Sequence, residues 1–418
     1  MVSPFLPDDV KIRALRDELP ATGAGIYLNA GTCGPMPRES ARAMAEVAER
    51  ELTVGRAHVA AYEELLVRMD EARGALAAVL TTAVDRVALT GSTTEGMSAA
   101  IWAIDWREGD RAVTTSHEHP GLMGSLAMVR DRRGVIVDTV DIGDGDDDDL
   151  TLAAIESALR RKPRLLALSH VLWSTGAVLP ARRLVELAHA HGVPVAIDGA
   201  QAAGAIPVEA DLIGAEFYAT SGQKWLLGPE GTGALAVSER ALSWAEPTFA
   251  GFFSTATPYA AGREMLWADA RRFEPAGFHQ PSVAALARSV GWLSMQVGLP
   301  WAHARASGLA SETAERLSRI PGVRLVTPRR NMGTLVTFRI AGWTPEAALD
   351  ELGRRIFLIA RPIPGMAAIR LSVGCWNTED EIGRVVDAVA ELARHTPETL
   401  PRRPSISVID AVPDAGER

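Results

Sequence analysis

Between about residue 84 and residue 240 the chain alternates short apolar runs with amphipathic stretches, and this pattern limits the fold more than any other feature. The apolar runs are residues 86–90, 111–115, 135–140, 164–169, 193–197, 216–220 and 233–237, with helical spacing at 94–105, 121–133, 150–160 and 180–191 between them. Nearly continuous apolar strands separated by helices predict an α/β fold, a mainly parallel seven-stranded sheet covered on both faces. In such sheets ligands bind beyond the carboxyl ends of the strands. The polar residues that follow each strand therefore have to be read together.

Residues 284–396 are patterned differently. One long helix over 283–319 precedes short strands near 323–327, 333–340, 356–359 and 369–373, with helices at 344–355 and from 378 onward. This is the pattern of a smaller α+β domain. The expected division is a large domain over 26–282, a small domain from 1–25 plus 283–396, and a loose tail over 397–418 punctuated by Pro397, Pro401 and Pro404. The Gly/Asp run 144–149 reads as a solvated turn, since it lacks the spacing of a calcium loop. No internal repeat is visible.

The chain carries 43 basic and 52 acidic residues in 418, a net charge of -9, which gives no general reason to bind nucleic acid or an anionic membrane. No apolar run reaches the ~18 residues that span a bilayer, and the N-terminus lacks a basic stretch leading into an apolar one. Two cysteines, Cys33 and Cys375, build neither a disulfide framework nor a zinc cluster, and no metal site is expected. A cytoplasmic protein is the expectation.

Only three of the basic residues are lysines: Lys11, Lys162 and Lys224. Lys11, among Asp8, Asp9 and Arg13, and Lys162, in an arginine-rich run, read as solvated surface charges. Lys224 lies in Ser221-Gly222-Gln223-Lys224-Trp225, among small and apolar residues with no acidic neighbour. Desolvation there lowers its pKa and makes the neutral amine available, as a Schiff-base lysine requires.

Other strand exits supply complementary groups. The run 86–90 leads into Gly91-Ser92-Thr93-Thr94-Glu95, which fits a phosphate at a helix N-terminus, or a plain helix cap. The run 111–115 leads to His117 and His119, one of which suits stacking on a planar ligand; a loop histidine without a role is the alternative. The run 193–197 ends at Asp198, fit to hold a protonated pyridine nitrogen or to cap a turn. Phosphate cradle, stacking histidine, buried acid and desolvated lysine together match one common cofactor, pyridoxal 5'-phosphate (PLP).

On these motifs the chain resembles the class V aminotransferase-like branch of fold-type I PLP enzymes, from Tyr27 to about Leu392. Ala196-Ile197-Asp198-Gly199-Ala200-Gln201 and Ser221-Gly222-Gln223-Lys224-Trp225 carry it, supported by Glu118-His119 and Arg370-Leu371-Ser372. The resemblance implies that Lys224 holds the cofactor, Asp198 pairs with the pyridine nitrogen and His119 stacks on the ring. It places Gln201 at the phenolate oxygen, and Thr93, Thr94, Ser221 and Gln223 at the phosphate. Arg370 then takes the substrate carboxylate, with Arg361, Asn29, Ala30 and Trp173 lining the substrate site. Gln223 stands where relatives place a histidine, and Phe278 where they place a small hydroxyl residue serving the partner's phosphate.

The loop 359–366 lacks the nucleophilic cysteine that cysteine desulfurases carry. The motifs are closest to cysteine/cystine C–S lyases, which implies β-elimination on a small amino-acid substrate by a homodimer. Epimerisation or transamination of the isopenicillin N epimerase-like kind, desulfuration, and binding without turnover are the alternatives.

Overall fold

The computed structural model describes residues 2–257 and 265–401. Most of the tail expected over 397–418 lies outside the described residues.

A seven-stranded sheet forms the centre of the molecule. Its strands run, edge to edge, Val87–Thr90, Gly233–Val237, Phe217–Ser221, Val195–Asp198, Leu165–Ser169, Arg111–Thr115 and Ile136–Val140. Gly233–Val237 is antiparallel to both neighbours, and the other pairings are parallel. The strand sequences explain the arrangement. Leu-Leu-Ala-Leu-Ser, Val-Ala-Ile-Asp and Phe-Tyr-Ala-Thr-Ser are buried at every position, as strands covered by helices on both faces must be. Their polar residues are confined to the carboxyl ends. Register places Ser169 beside Asp198 and Asp198 beside Ala219, so these ends form one ledge.

Two helices begin on that ledge because their caps stop them there. Ser92 accepts the Glu95 N–H and starts Thr93–Trp102; His119 accepts the Gly121 N–H and starts Pro120–Arg133. Pro120 suits the first helical position, where its missing N–H has no helical partner to lose.

A four-stranded antiparallel sheet, ordered Arg361–Ile363, Ala368–Ser372, Leu335–Ile340 and Val323–Leu325, forms the second layer system. Phe338, Leu352, Ile369, Leu371, Val385 and Val389 fill its core. Packing crosses the boundaries expected for the domains. Ile26–Tyr27 pairs with Leu358–Ile359, and Gln280–Trp292 packs on the helices Arg38–Val54 and Val59–Leu80. We propose the division into 26–282 and 1–25 plus 283–396. Among the described residues no helix is long and apolar enough to cross a membrane.

Two expectations need correction. The helix expected over 283–319 is three pieces: Gln280–Trp292, a π-helical stretch Leu293–Gly298, and Leu299–Ser318. Gly298 adopts φ 85°, and Pro300 lacks the N–H that would continue the ladder. Lys11 is not a solvated charge. It is fully buried, with Nζ 4.0 Å from the centroid of the Trp301 ring and donating to the Pro4 carbonyl at 3.4 Å.

One buried ion pair ties the helix Val59–Leu80 to the sheet. Arg73 grips Glu274 bidentately (2.9 and 2.7 Å), and Glu274 also accepts the Leu89 N–H at 2.8 Å. Replacing Arg73 with Met leaves the Glu274 carboxylate buried without its cation. The expected loss is about 3–5 kcal/mol of stability, read by chemical denaturation; a loss below about 1 kcal/mol would show the pair to be dispensable.

Candidate active site

The ledge gathers the residues singled out from the strand exits. Asp198 is buried, and its Oδ1 accepts the Ala200 N–H at 2.9 Å. Burial pushes its carboxyl up, while the Lys224 charge and the Ala200 N–H pull it down. Lys224, half-buried beyond Phe217–Ser221, has its ammonium pulled down to about 8. Burial is the main cause, Asp198 opposes it, and Arg370 and Arg361 add to it. An amine in that range is neutral often enough to act as nucleophile or base.

Ser221 Oγ accepts the Thr93 N–H at 3.1 Å and lies 2.6 Å from Thr93 Oγ1. A strand exit and a helix N-terminus are thereby joined at one point, with the exposed Thr94 next in the chain. Gln223 holds the neighbouring segment by accepting the Gly34 N–H on its carbonyl at 2.7 Å, and its side-chain Oε1 is buried without a partner among the described residues. Hydroxyls and helix-end N–H groups of this kind suit a phosphate.

His119 Nδ1 accepts the Gly121 N–H at 3.1 Å, which fixes the proton on Nε2. Burial, then Lys224 and the two arginines, pull His119 down to about 4, so the ring is neutral. It meets Trp173 edge-on at 5.4 Å and 87°. The Trp173 carbonyl accepts from Arg370 Nη1 at 2.7 Å, and Arg361 lies 5.7 Å from the same ring.

Arg370 is fully buried, yet its Nε and Nη2, and the neighbouring Ser372 Oγ, have no partner among the described residues. Three orphaned donors at one place want an anionic acceptor. Arg361 donates to Thr32 Oγ1 at 3.3 Å, and Thr32 donates to Asn29 Oδ1 at 2.9 Å. Ala30 is sealed in the apolar core. Gln201 donates to the Gly31 carbonyl at 2.8 Å and accepts the Trp225 indole N–H at 2.9 Å.

Several participants are not among the site residues expected from the sequence. Gly31 is one: a Cβ there would stand 2.7 Å from Arg370 Nη2, 2.8 Å from Ser372 Oγ and 3.0 Å from Gln201 Oε1. Ser169 and Thr115, which bind Glu118 at 2.5 and 2.6 Å, are others. Ser169 had a readable cue, since it closes an apolar strand just as Asp198 does.

The family model for aminotransferase class-V matches residues 26–385. The chain belongs to the class-V aminotransferase family. Isopenicillin N epimerase of Streptomyces clavuligerus is 29% identical over 388 residues, covering 88% of this chain and 94% of that protein. A probable cysteine desulfurase of Mycolicibacterium paratuberculosis is 29% identical over 322 residues, 74% of this chain and 46% of that one. Two solved structures of the cystine C–S lyase C-DES share the fold at TM-score 0.83 and 25% identity. One is a lysine-to-alanine mutant with glycine covalently linked to the PLP cofactor, covering 90% of this chain and 98% of that one. The other is a complex with the reaction product cysteine persulfide, covering 89% and 99%. This class-V enzyme uses PLP. The residues present fit the group: a desolvated lysine, a buried acid, a neutral histidine ring and a hydroxyl-lined helix N-terminus lie on one ledge.

Two outcomes follow. Capture of PLP by the apo-protein should accelerate roughly tenfold per pH unit below about 8 and then level off, because the neutral Lys224 amine is the reacting form. A rate still climbing above pH 9 would contradict a lowered Lys224. Gly31→Ala pushes against Arg370 and Ser372, so the KM for an amino-acid substrate should rise by about tenfold, a 1.4 kcal/mol effect. The visible band of the bound cofactor should be unchanged.

Proposed function

We propose that this PLP enzyme is a carbon–sulfur lyase. It would cleave the Cβ–S bond of cysteine, cystine or a cysteine S-conjugate by α,β-elimination, yielding pyruvate, ammonia and a thiol or persulfide. The supporting observation is the state of its two cysteines. Cys375 is buried, and burial pushes its thiol up to about 12. Burial raises the Cys33 thiol too, and it donates to Glu230 at 3.4 Å, which raises it further. Neither is poised as the thiolate nucleophile that desulfuration to alanine requires. Elimination needs no protein sulfur.

In this reading Thr93, Thr94, Ser221 and Gln223 hold the cofactor's phosphate, Gln201 its ring oxygen and Asp198 its ring nitrogen. When bound, PLP supplies an electron sink for the pair left at Cα. The orphaned Nε and Nη2 of Arg370 take the substrate carboxylate in a fork, with Arg361 beside it. His119, neutral and fixed by Gly121, covers the ring without adding charge. Lys224, as the free amine, removes the Cα proton. Sulfur then leaves Cβ, and the released enamine hydrolyses to pyruvate and ammonia.

The isopenicillin N epimerase relative supports a second reading, inversion or amino transfer at an amino-acid centre with the same lysine. We further propose a homodimer, supported by the exposed Leu52, Val54, Val59 and Val67 around one helix–helix turn. A cytoplasmic setting is proposed too; two unpaired thiols suit a reducing compartment.

Product identification separates these readings. PLP-loaded protein is incubated with L-cystine, L-cysteine or an S-alkyl cysteine, and pyruvate, alanine and D-isomers are quantified. Pyruvate with a persulfide or thiol is expected. Lys224→Ala should lower the rate by about a thousandfold or more and remove the visible band, whereas Cys33→Ser should keep the rate. Alanine, or inversion without pyruvate, would overturn the lyase reading.

A further inference from the structure

Glu118 has no task in the function proposed above, yet it is buried immediately before the stacking His119. Its Oε1 accepts from Thr115 Oγ1 at 2.6 Å and its Oε2 from Ser169 Oγ at 2.5 Å. Both donors are uncharged hydroxyls, each closing a strand of the central sheet. Ser169 stands directly beside Asp198 in strand register, so two buried carboxyls share one end of the sheet.

The groups around this pair are few. Among the described residues Asp198 is the one charged residue that acts on Glu118. Lys224 acts on Asp198 from the next strand exit, and the buried Tyr218 phenol beside Asp198 is held neutral. His170, whose backbone N–H donates to the Asp198 carbonyl at 2.9 Å, is pulled down to about 4 by burial, and His119 to about 4 likewise. His117 turns to Ser174 Oγ at 3.0 Å. Among the described residues Lys224 is the one cation that acts on either carboxyl, and burial pushes Glu118 up to about 7.

We propose that Glu118 is a positioning residue for the ring nitrogen of the cofactor, acting on it through Asp198. An ionised Glu118 puts a second negative charge behind Asp198, and the proton between Asp198 and the nitrogen is held more tightly. A protonated Glu118 leaves Asp198 to hold it alone. The ring nitrogen's hold on its proton then changes with pH over the range in which Glu118 titrates. The inference concerns the ring and stands whichever bond the enzyme breaks, so it fails or survives independently of the lyase reading.

The test is a pH titration of the PLP-loaded enzyme, reading visible absorbance and the NMR shift of an isotopically labelled ring nitrogen. The wild type should show a step in the nitrogen shift centred near pH 7. Glu118→Gln, which still accepts a hydroxyl hydrogen bond, should lose that step. Ser169→Ala removes one of the two donors that stabilise the anion, so the step should move up by roughly one pH unit. That variant also carries the test should the glutamine form fold poorly. A wild type without a step near neutrality, or a step unmoved in both variants, overturns the proposal. Lowered melting temperatures with an unmoved step would show Glu118 to be structural and overturn it equally.

Discussion

A buried carboxylate at the end of an apolar strand is the constraint around which this molecule is organised. Removing an ion such as Asp198 from water costs several kcal/mol unless cations and donors meet it. The Ala200 N–H supplies one donor at 2.9 Å, and the charge of Lys224 supplies the compensation. Lys224 can do so only if its own strand exit lies next to that of Asp198, and the parallel pairing of Val195–Asp198 with Phe217–Ser221 provides this. The same proximity keeps part of the ammonium character of Lys224 against the desolvation that would strip it. One pair of adjacent strands thus sets both the acid and the amine.

The remaining elements hold the substrate side rigid relative to that pair. Thr337 Oγ1 donates to the Ser174 carbonyl at 2.8 Å and Thr327 Oγ1 to the Thr175 carbonyl at 2.5 Å. With Arg370 on the Trp173 carbonyl, three consecutive carbonyls of one loop are claimed by the small antiparallel sheet and its entry. From the other side, the segment around Gly31 and Gly34 is pinned by Gln201 and the Gln223 carbonyl. Such closure ties the arginines and the lysine to one another through the fold, and under the proposed function this is where orientation contributes most to rate.

What was legible in the sequence follows from how locally each feature is determined. The central strands of the large sheet were readable to within a residue or two because strands buried on both faces must be apolar throughout. Lys224 was readable because arginine serves as the surface cation, which left the lysine conspicuous. Lys11 was misread because its acidic neighbours are in sequence, whereas the ring that covers it, Trp301, arrives from the far end of the chain. The break at Gly298 was missed because apolar periodicity runs on through Leu293–Gly298 while the hydrogen-bond ladder does not. The grip of Arg370 on the Trp173 carbonyl joins positions 197 residues apart, and a carbonyl has no side-chain signature at all.

Two buried arginines show how structure and function divide the same chemistry. Arg73 meets Glu274 in a complete fork, so its burial is balanced within the fold. Arg370 stands directly opposite Arg361 in antiparallel register, a like-charge arrangement that disfavours the strand pairing. Burial and Arg361 together pull its guanidinium down to about 9, and two of its nitrogens have no acceptor among the described residues. A fold selected for stability alone would place a carboxylate of its own there, as it does at Glu274. Under the proposed function the substrate carboxylate supplies the acceptor that Arg370 lacks, and the same anion offsets the like-charge pairing with Arg361.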